Sequence, residues 1–231
     1  MTRGSDTDAT SGNGRRGGAD LFHLVWIFTL ASIAGLVAET VVSIPIDGFA
    51  KSRFGLVWGP FSPIYGCGAV LFTLLHARIG DAPKWVQLLA AGLVGALFEF
   101  CAGWFWEHVF GIVAWSYADR PFNVLGYTCL EMACVWAVTG FLWMCAEPFV
   151  VRFIDCIPRS WRTPVTAVLA VFLAVDVVVT LVAFSCWFDR LSGVEPEGVV
   201  AECFEEYFGD EFMESRFEVM SMWPSLADAR G

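Results

Sequence analysis

The chain has 231 residues, of which 57% are hydrophobic and only 16% are charged. Soluble domains are about half apolar and about one quarter charged, so a single water-soluble core is excluded and the lipid bilayer is the expected surrounding. The net charge of −10 comes mainly from residues 189–231, which hold eleven acidic and three basic side chains. Because no basic stripe is present to neutralise phosphates, nucleic acid is not expected as a partner.

Residues 1–20 consist mainly of Gly, Ser, Thr, Asp and Arg, a composition that cannot offset the entropy of ordering. We predict that they form a disordered cytoplasmic N-terminus. Arg15 and Arg16 precede an apolar run of 26 residues that carries Glu39 and has no convincing small-residue cleavage site. This pattern favours a retained membrane helix over a cleaved signal peptide.

Five apolar stretches predict an all-α fold, a polytopic membrane bundle of five transmembrane helices within residues 21–188. Four stretches exceed the roughly 20 residues that cross a bilayer as a helix. The second stretch, with about 16 residues, is marginal. The stretches are residues 21–46, 60–75, 85–110, 123–151 and 165–188.

The second stretch begins with the string GPFSPIYGCG at residues 59–68. Its prolines remove backbone donors and its glycines permit non-helical backbone. Two interpretations are open. The segment is a broken or re-entrant span that lines a wet cavity, or its prolines occupy the first turn of an ordinary span, where proline is tolerated.

Basic residues in short loops predict the orientation, because Lys and Arg are retained on the cytoplasmic side. With five spans and a cytoplasmic start, the cytoplasmic segments hold eight Lys and Arg residues and the outer segments hold four. We therefore predict a multi-pass protein of the cell membrane with a cytoplasmic N-terminus and an extracytoplasmic C-terminus. The acidic tail, residues 189–231, has apolar residues at roughly helical spacing, which predicts an amphipathic helix; a solvated tail is the alternative.

Four carboxylic acids lie well inside apolar stretches, namely Glu39, Glu99, Glu131 and Asp176, and Glu107 and Glu147 lie closer to the ends of theirs. A charge at the bilayer centre costs at least about 2.5 kcal/mol, so each acid should face protein or water. At a rise of about 1.5 Å per residue, they lie about 10 to 18 Å below the predicted outer ends of their helices. Such a set at common depth predicts a site for a small solute or cation, and hydrogen bonds between helices are the alternative.

A short motif recurs in the first and third stretches. Gly35 precedes Glu39 by four residues, and Gly95 precedes Glu99 by four residues, sixty positions further on. Glycine and acid then share a helical face, which allows a neighbouring helix to approach closely. The recurrence fits a duplicated two-helix unit, and coincidence is equally consistent with it.

Two blocks resemble a bacterial family of small membrane proteins described as ABC-transporter type IV permeases. Residues 59–68 follow the GPxxPIYGxG pattern of that family, and residues 115–130, with WSY, PFN and GYTCL, are similar to its second block. Ser116, Ala118 and Tyr127 depart from it, since Asp, Ser and Arg are frequent there. The similarity extends from about residue 21 to residue 188.

The resemblance implies a permease-like subunit of the bacterial inner membrane. No GxxxxGK[ST] loop occurs in the sequence, so a separate ATPase subunit is the expected energy source. Five helices are few for a complete translocation path, so a homo- or hetero-oligomer is expected. The alternative is a non-transporting scaffold or regulatory protein in which the buried acids are interhelical contacts.

We therefore predict a cavity that opens outward and binds a small solute or cation. Arg53 stands at its predicted mouth, and tyrosine and asparagine side chains near the acids supply further hydrogen-bonding groups. Neither HExxH nor GxSxG occurs, no paired CxxC spacing is present, and an enzyme, a cofactor and a metal site are not predicted. The candidate binding residues are Glu39, Arg53, Tyr65, Glu99, Asn123, Glu131 and Asp176.

Overall fold

The structure, a computed structural model, describes residues 20–47, 55–194 and 198–218. The predicted helical class is confirmed. The predicted disordered segment, residues 1–20, and the predicted mouth residue Arg53 lie outside this range except for Asp20. The elements are α1 Leu21–Asp47, α2 Pro63–Ile79, α3 Lys84–Phe110, β1 Asn123–Val124, β2 Thr128–Cys129, α4 Leu130–Asp155, α5 Arg159–Leu191, α6 Val199–Tyr207 and α7 Asp210–Arg216.

Helices α1, α3, α4 and α5 are long and apolar enough to cross a membrane, whereas α2 is a shorter apolar helix of 17 residues. By length and composition, four of the described helices rather than five qualify as spans. Large apolar side chains cover their outer surfaces: Leu93 is 72% exposed, Leu142 60% and Val168 71%. Soluble proteins rarely expose contiguous apolar surface of this extent, and lipid accounts for it.

The helices alternate in direction. The starts of α1 and α5 are joined by a hydrogen bond from Trp26 Nε1 to Thr166 Oγ1 (2.9 Å). Late in α3 and α5, the rings of Trp106 and Phe184 lie 5.5 Å apart, while Ile27, early in α1, packs near the end of α4. We call the end of the bundle where α1, α3 and α5 begin the base, and the end where they finish the rim.

The chain between α1 and α2 is non-helical where it is described, yet it is held inside the protein. The N–H group of Val57 donates to Thr180 Oγ1 (3.0 Å), and that of Trp58 donates to Asp176 Oδ1 (3.1 Å). Pro63 stands in the first turn of α2, where its missing N–H is tolerated. Pro63 therefore fits the interpretation of a proline at a helix start, while the buried irregular backbone lies just before the string, at residues 55–57.

Helix α7 packs onto the rim through its apolar residues. Met213 and Phe217 are buried in a cluster with Phe184 and Trp187 of α5 and with Ile112. The segment also carries Arg216, whose guanidinium donates to the backbone carbonyls of the segment before α2, at Leu56 (3.0 Å) and at Gly59. The end of the described chain is thus tied to the connection between the first two helices.

Gly95 lets α3 and α4 approach closely, since a Cβ atom at this position would overlap the Cβ of Trp136. Gly95→Val should therefore lower the free energy of unfolding by about 1–3 kcal/mol through overpacking. Thermal unfolding of the detergent-purified protein measures this effect. Leu93→Val, two residues away on the lipid-exposed side of α3, is the control and should change the Tm little; equal Tm losses in both variants would contradict the close packing at Gly95.

Candidate binding cavity

A cavity of about 660 Å³ lies at the rim, among α1, α2, α3, α4 and the connection that precedes α4. This volume is within the range of roughly 300–1,000 Å³ that is usual for small-molecule sites. Its lining includes two acids, Glu39 and Glu99, and two tyrosines, Tyr65 and Tyr117. Aromatic rings form much of the remaining wall: Phe98, Phe105, Trp106, Trp115, Trp136 and Phe217.

Glu99 is the most deeply buried acid of the cavity, with 3% of its surface exposed. Its Oε1 accepts a hydrogen bond from the Tyr117 hydroxyl (3.1 Å), and its Oε2 accepts one from Thr128 Oγ1 (2.7 Å). Both donors come from the connection between α3 and α4, which folds back over α3. The two hydroxyls offset part of the cost of holding this carboxyl away from water.

Glu39 is half-buried near the rim end of α1, and its Oε2 accepts a hydrogen bond from the Tyr65 hydroxyl (2.9 Å). Gly35 makes this contact possible, because a Cβ atom at position 35 would overlap the Tyr65 ring. Tyr65 lies in the first turn of α2, so the position of the hydroxyl follows from the way α2 begins. The cavity therefore has an acid and a tyrosine on each of two sides.

Tyr117 acts as a hydrogen-bond donor because its hydroxyl resists ionisation. Burial raises its pKa, and the negative charge of Glu99 and the hydrogen bond to Glu99 raise it further. Cys129 and Tyr65 have smaller effects in the same direction. The phenol consequently keeps its proton over the whole physiological range and continues to donate to the Glu99 carboxylate.

Trp136 on α4 forms one wall and was not among the residues predicted from sequence. It is 7% exposed and its indole N–H, which is near Glu99, makes no hydrogen bond of ordinary geometry with any described residue. Buried donors are nearly always paired with protein, water or ligand. Thr128 and Trp136 gave no sequence signal, since tryptophan and threonine are common in apolar helices and turns.

Glu131 and Asn123 lie away from the cavity. The fourth predicted stretch started at residue 123, but α4 begins at Leu130, so Glu131 is in its first turn and not at depth. The Glu131 side chain is 64% exposed and pairs with Arg120 (3.3 Å). Asn123 closes the turn before α4 through its amide, which donates to the Arg120 carbonyl (2.8 Å) and accepts from the Gly126 N–H (3.2 Å).

Asp176 is fully buried in α5 and does not line the cavity. It holds the segment before α2 in place through the hydrogen bond from the Trp58 N–H. Among the described residues, the positive charge that acts on Asp176 is that of Arg216 in α7, and the predicted Arg53 lies outside the described residues. Burial lowers the pKa of Arg216, and the electrostatic attraction of Asp176 partly offsets that effect.

Two further observations concern other candidate sites among the described residues, a metal site and a second depression. Among the residues that the structure describes, no group of three or more His, Cys, Asp or Glu side chains could hold a metal ion. A second depression of about 460 Å³ between α1 and α5 is lined by apolar side chains alone, including Leu24, Phe28 and Leu173. It lacks the polar groups that orient a ligand, whereas the rim cavity has them.

The long apolar helices define a multi-pass membrane protein. A family model described as "Putative ABC-transporter type IV" matches residues 26–181, so the chain belongs to this family, as its sequence blocks predicted. The description is that of a transporter component, and such components are usually not enzymes. Neither the curated proteins nor the solved structures contain a match to this chain.

Tyr117→Phe tests the hydrogen bond to Glu99. Because the pKa of Tyr117 is raised above the unfolded value of about 10, its contribution to stability is complete below that pH and declines as pH rises further. In a near-ultraviolet absorbance titration, wild type and variant should therefore lose the same number of phenol protons just above pH 10. A clear loss of one ionising tyrosine in the variant would show that Tyr117 titrates normally.

Proposed function

We propose that this protein is the membrane-embedded permease subunit of an ABC-type transport system, and that it binds a small solute or cation in the rim cavity. The observation that carries the proposal is that Glu39 and Glu99, from two different helices, line one cavity together with Tyr65 and Tyr117. Ionisable groups at membrane depth are costly, and they usually mark substrate or ion pathways. Family membership supports a transporter component.

The helix directions support five membrane crossings. Because α1 ends at the rim and α3 begins at the base, the chain must return between them, and α2 makes that return. A helix of 17 residues is about 26 Å long, close to the thickness of the hydrocarbon core. The buried non-helical segment before α2 lengthens this path, and the neighbouring α5 satisfies its backbone groups, as irregular backbone in a membrane requires.

The base offers a surface for a separate ATPase. The connection between α4 and α5 is braced by Arg162, which pairs with Asp155 (3.0 Å) and donates to the Ile157 carbonyl (3.1 Å). Arg152 and Arg159 remain exposed beside it. A rigid corner with exposed basic side chains suits transmission of movement from a nucleotide-binding partner, and a second copy or another subunit would complete the translocation path.

Replacing the cavity acids should abolish solute binding. Purified protein is screened by thermal shift against small solutes, inorganic cations and organic cations. A ligand at 100 times its Kd stabilises by about 2.7 kcal/mol, enough for a clear rise in Tm. The rise should occur in wild type and in the control Glu131→Gln, whose carboxylate lies outside the cavity, but not in Glu39→Gln or Glu99→Gln. Unchanged ligand shifts in both cavity variants would show that the ligand does not bind at these acids, and the absence of any shift in wild type would favour a scaffold.

The proposed orientation places the rim outside and the base in the cytoplasm. Cys203 is exposed on α6, near the rim, and Cys156 is exposed at the end of α4, at the base. A membrane-impermeant maleimide applied to intact cells should label Cys203 within minutes and Cys156 only after the membrane is permeabilised. Peptide mass spectrometry distinguishes the two sites, and the reverse pattern would invert the topology.

A further inference from the structure

The charge of the cavity wall indicates the charge of its ligand. Among the described residues that line it, two are Glu and none is Lys, Arg or His. Glu99 is almost fully buried, and the groups described beside its carboxyl are two hydroxyls and the indole of Trp136 rather than bases. A carboxylate in a largely apolar cavity attracts cations strongly, since the low dielectric screens its field little. Anionic solutes are correspondingly disfavoured.

The aromatic wall distinguishes between kinds of cation. Trp106, Trp115 and Trp136 present indole rings to the cavity, beside Tyr65 and Tyr117. Aromatic faces attract organic ammonium groups, which shed water readily, and cages of such rings recognise quaternary ammonium ligands. A calcium ion, by contrast, takes roughly six to eight oxygen ligands. The described residues contain no acidic cluster that could supply them.

Trp136 indicates that the ligand carries a hydrogen-bond acceptor. Its indole N–H is buried at the cavity wall near Glu99, and it makes no hydrogen bond of ordinary geometry with any described residue. An ammonium group cannot satisfy this donor, because it has no lone pair to accept a hydrogen bond. A hydroxyl or carbonyl oxygen on the ligand can do so. The described wall therefore combines a site for positive charge, an apolar surface and a buried N–H donor without a hydrogen bond of ordinary geometry.

We propose that the cavity binds an organic ammonium compound with a hydroxyl or carbonyl oxygen, its cationic group held by Glu99, with Glu39 as a second acid of the wall, and its oxygen bound by Trp136. This inference rests on the proposed function, since it names the class of solute that the permease subunit takes. The volume of about 660 Å³ leaves room for an apolar body beyond the ammonium group.

Isothermal titration of the detergent-purified full chain tests the class. The probes are choline and protonated 2-amino-1-phenylethanol, with 3,3-dimethylbutan-1-ol as the uncharged isostere of choline and tetramethylammonium as the cation without oxygen. At least one of the first two should bind, and 3,3-dimethylbutan-1-ol should bind at least about tenfold more weakly than choline if choline is the ligand. Glu99→Gln should abolish binding. Trp136→Phe, which keeps an aromatic ring, should lower the affinity for the oxygen-bearing probe and leave the affinity for tetramethylammonium unchanged.

The outcomes separate this inference from the proposed function. If sodium, calcium or phosphate binds in a manner that depends on Glu99 and neither amine does, the cavity is a solute site and the ammonium assignment is wrong. If no solute of any class binds, both proposals fail. Binding of the amines that survives Glu99→Gln would also overturn the inference, because the cationic group would then lie elsewhere.

Cys67 provides a second readout that needs no bound solute, because it lines the cavity. Peptide mass spectrometry of wild type follows its modification by a thiosulfonate bearing trimethylammonium and by one bearing sulfonate. We compare the reaction rate of the cationic reagent with that of the anionic reagent at each cysteine. This rate ratio should be about tenfold higher at Cys67 than at the exposed Cys156 of the base. Glu99→Gln should reduce that preference at Cys67 and not at Cys156. Equal rates at Cys67 would show that the cavity is not cation-selective.

Discussion

The hydrogen bonds to Glu99 are the interaction on which the rim depends. A carboxyl group buried at membrane depth costs several kcal/mol unless it is paired, and two hydroxyls from the following connection meet this requirement. The same bonds fix the connection over α3, and that connection supplies Trp115 and Tyr117 to the cavity wall. Burying one acid thus also shapes the site, since the groups that stabilise Glu99 form the surface a ligand would meet.

The two halves of the cavity repeat one arrangement. Gly35 packs against Tyr65, which donates to Glu39, and Gly95 packs against Trp136, near Glu99. In each half a glycine stands four residues before the acid. Because glycine has no side chain, an aromatic residue of the next helix can lie against the backbone there. This shared chemistry supports a duplicated two-helix unit. The aromatic partners differ between the halves, one acid is half-buried and the other is enclosed, and the duplication stays a prediction.

The length of the apolar stretches predicted the long membrane helices well, because burial in lipid depends on composition. The predicted positions along these helices also put Glu39, Tyr65 and Glu99 at the same end of the bundle. The start of α4 could not be read from composition. Residues 123–129 are largely apolar, but Phe122 and Leu125 adopt positive φ angles of 55° and 52° and form a turn instead. The position of Asp176 depends on Trp58, 118 positions away in sequence, and such long-range pairing leaves no local pattern.

Among the residues that the structure describes, the distribution of bases explains why the cavity has an acidic character. The positive charge of Arg216 acts on Asp176, and Glu131 pairs with Arg120, and neither of these bases lines the cavity. Glu99 is held by neutral hydroxyls, which stabilise its charge without cancelling it. Arg216 also binds the carbonyls of the segment before α2, and the adjacent Phe217 lines the cavity. The fold therefore places the Arg216 cation where it braces the rim and attracts Asp176, and leaves the carboxylate of Glu99 beside the aromatic wall.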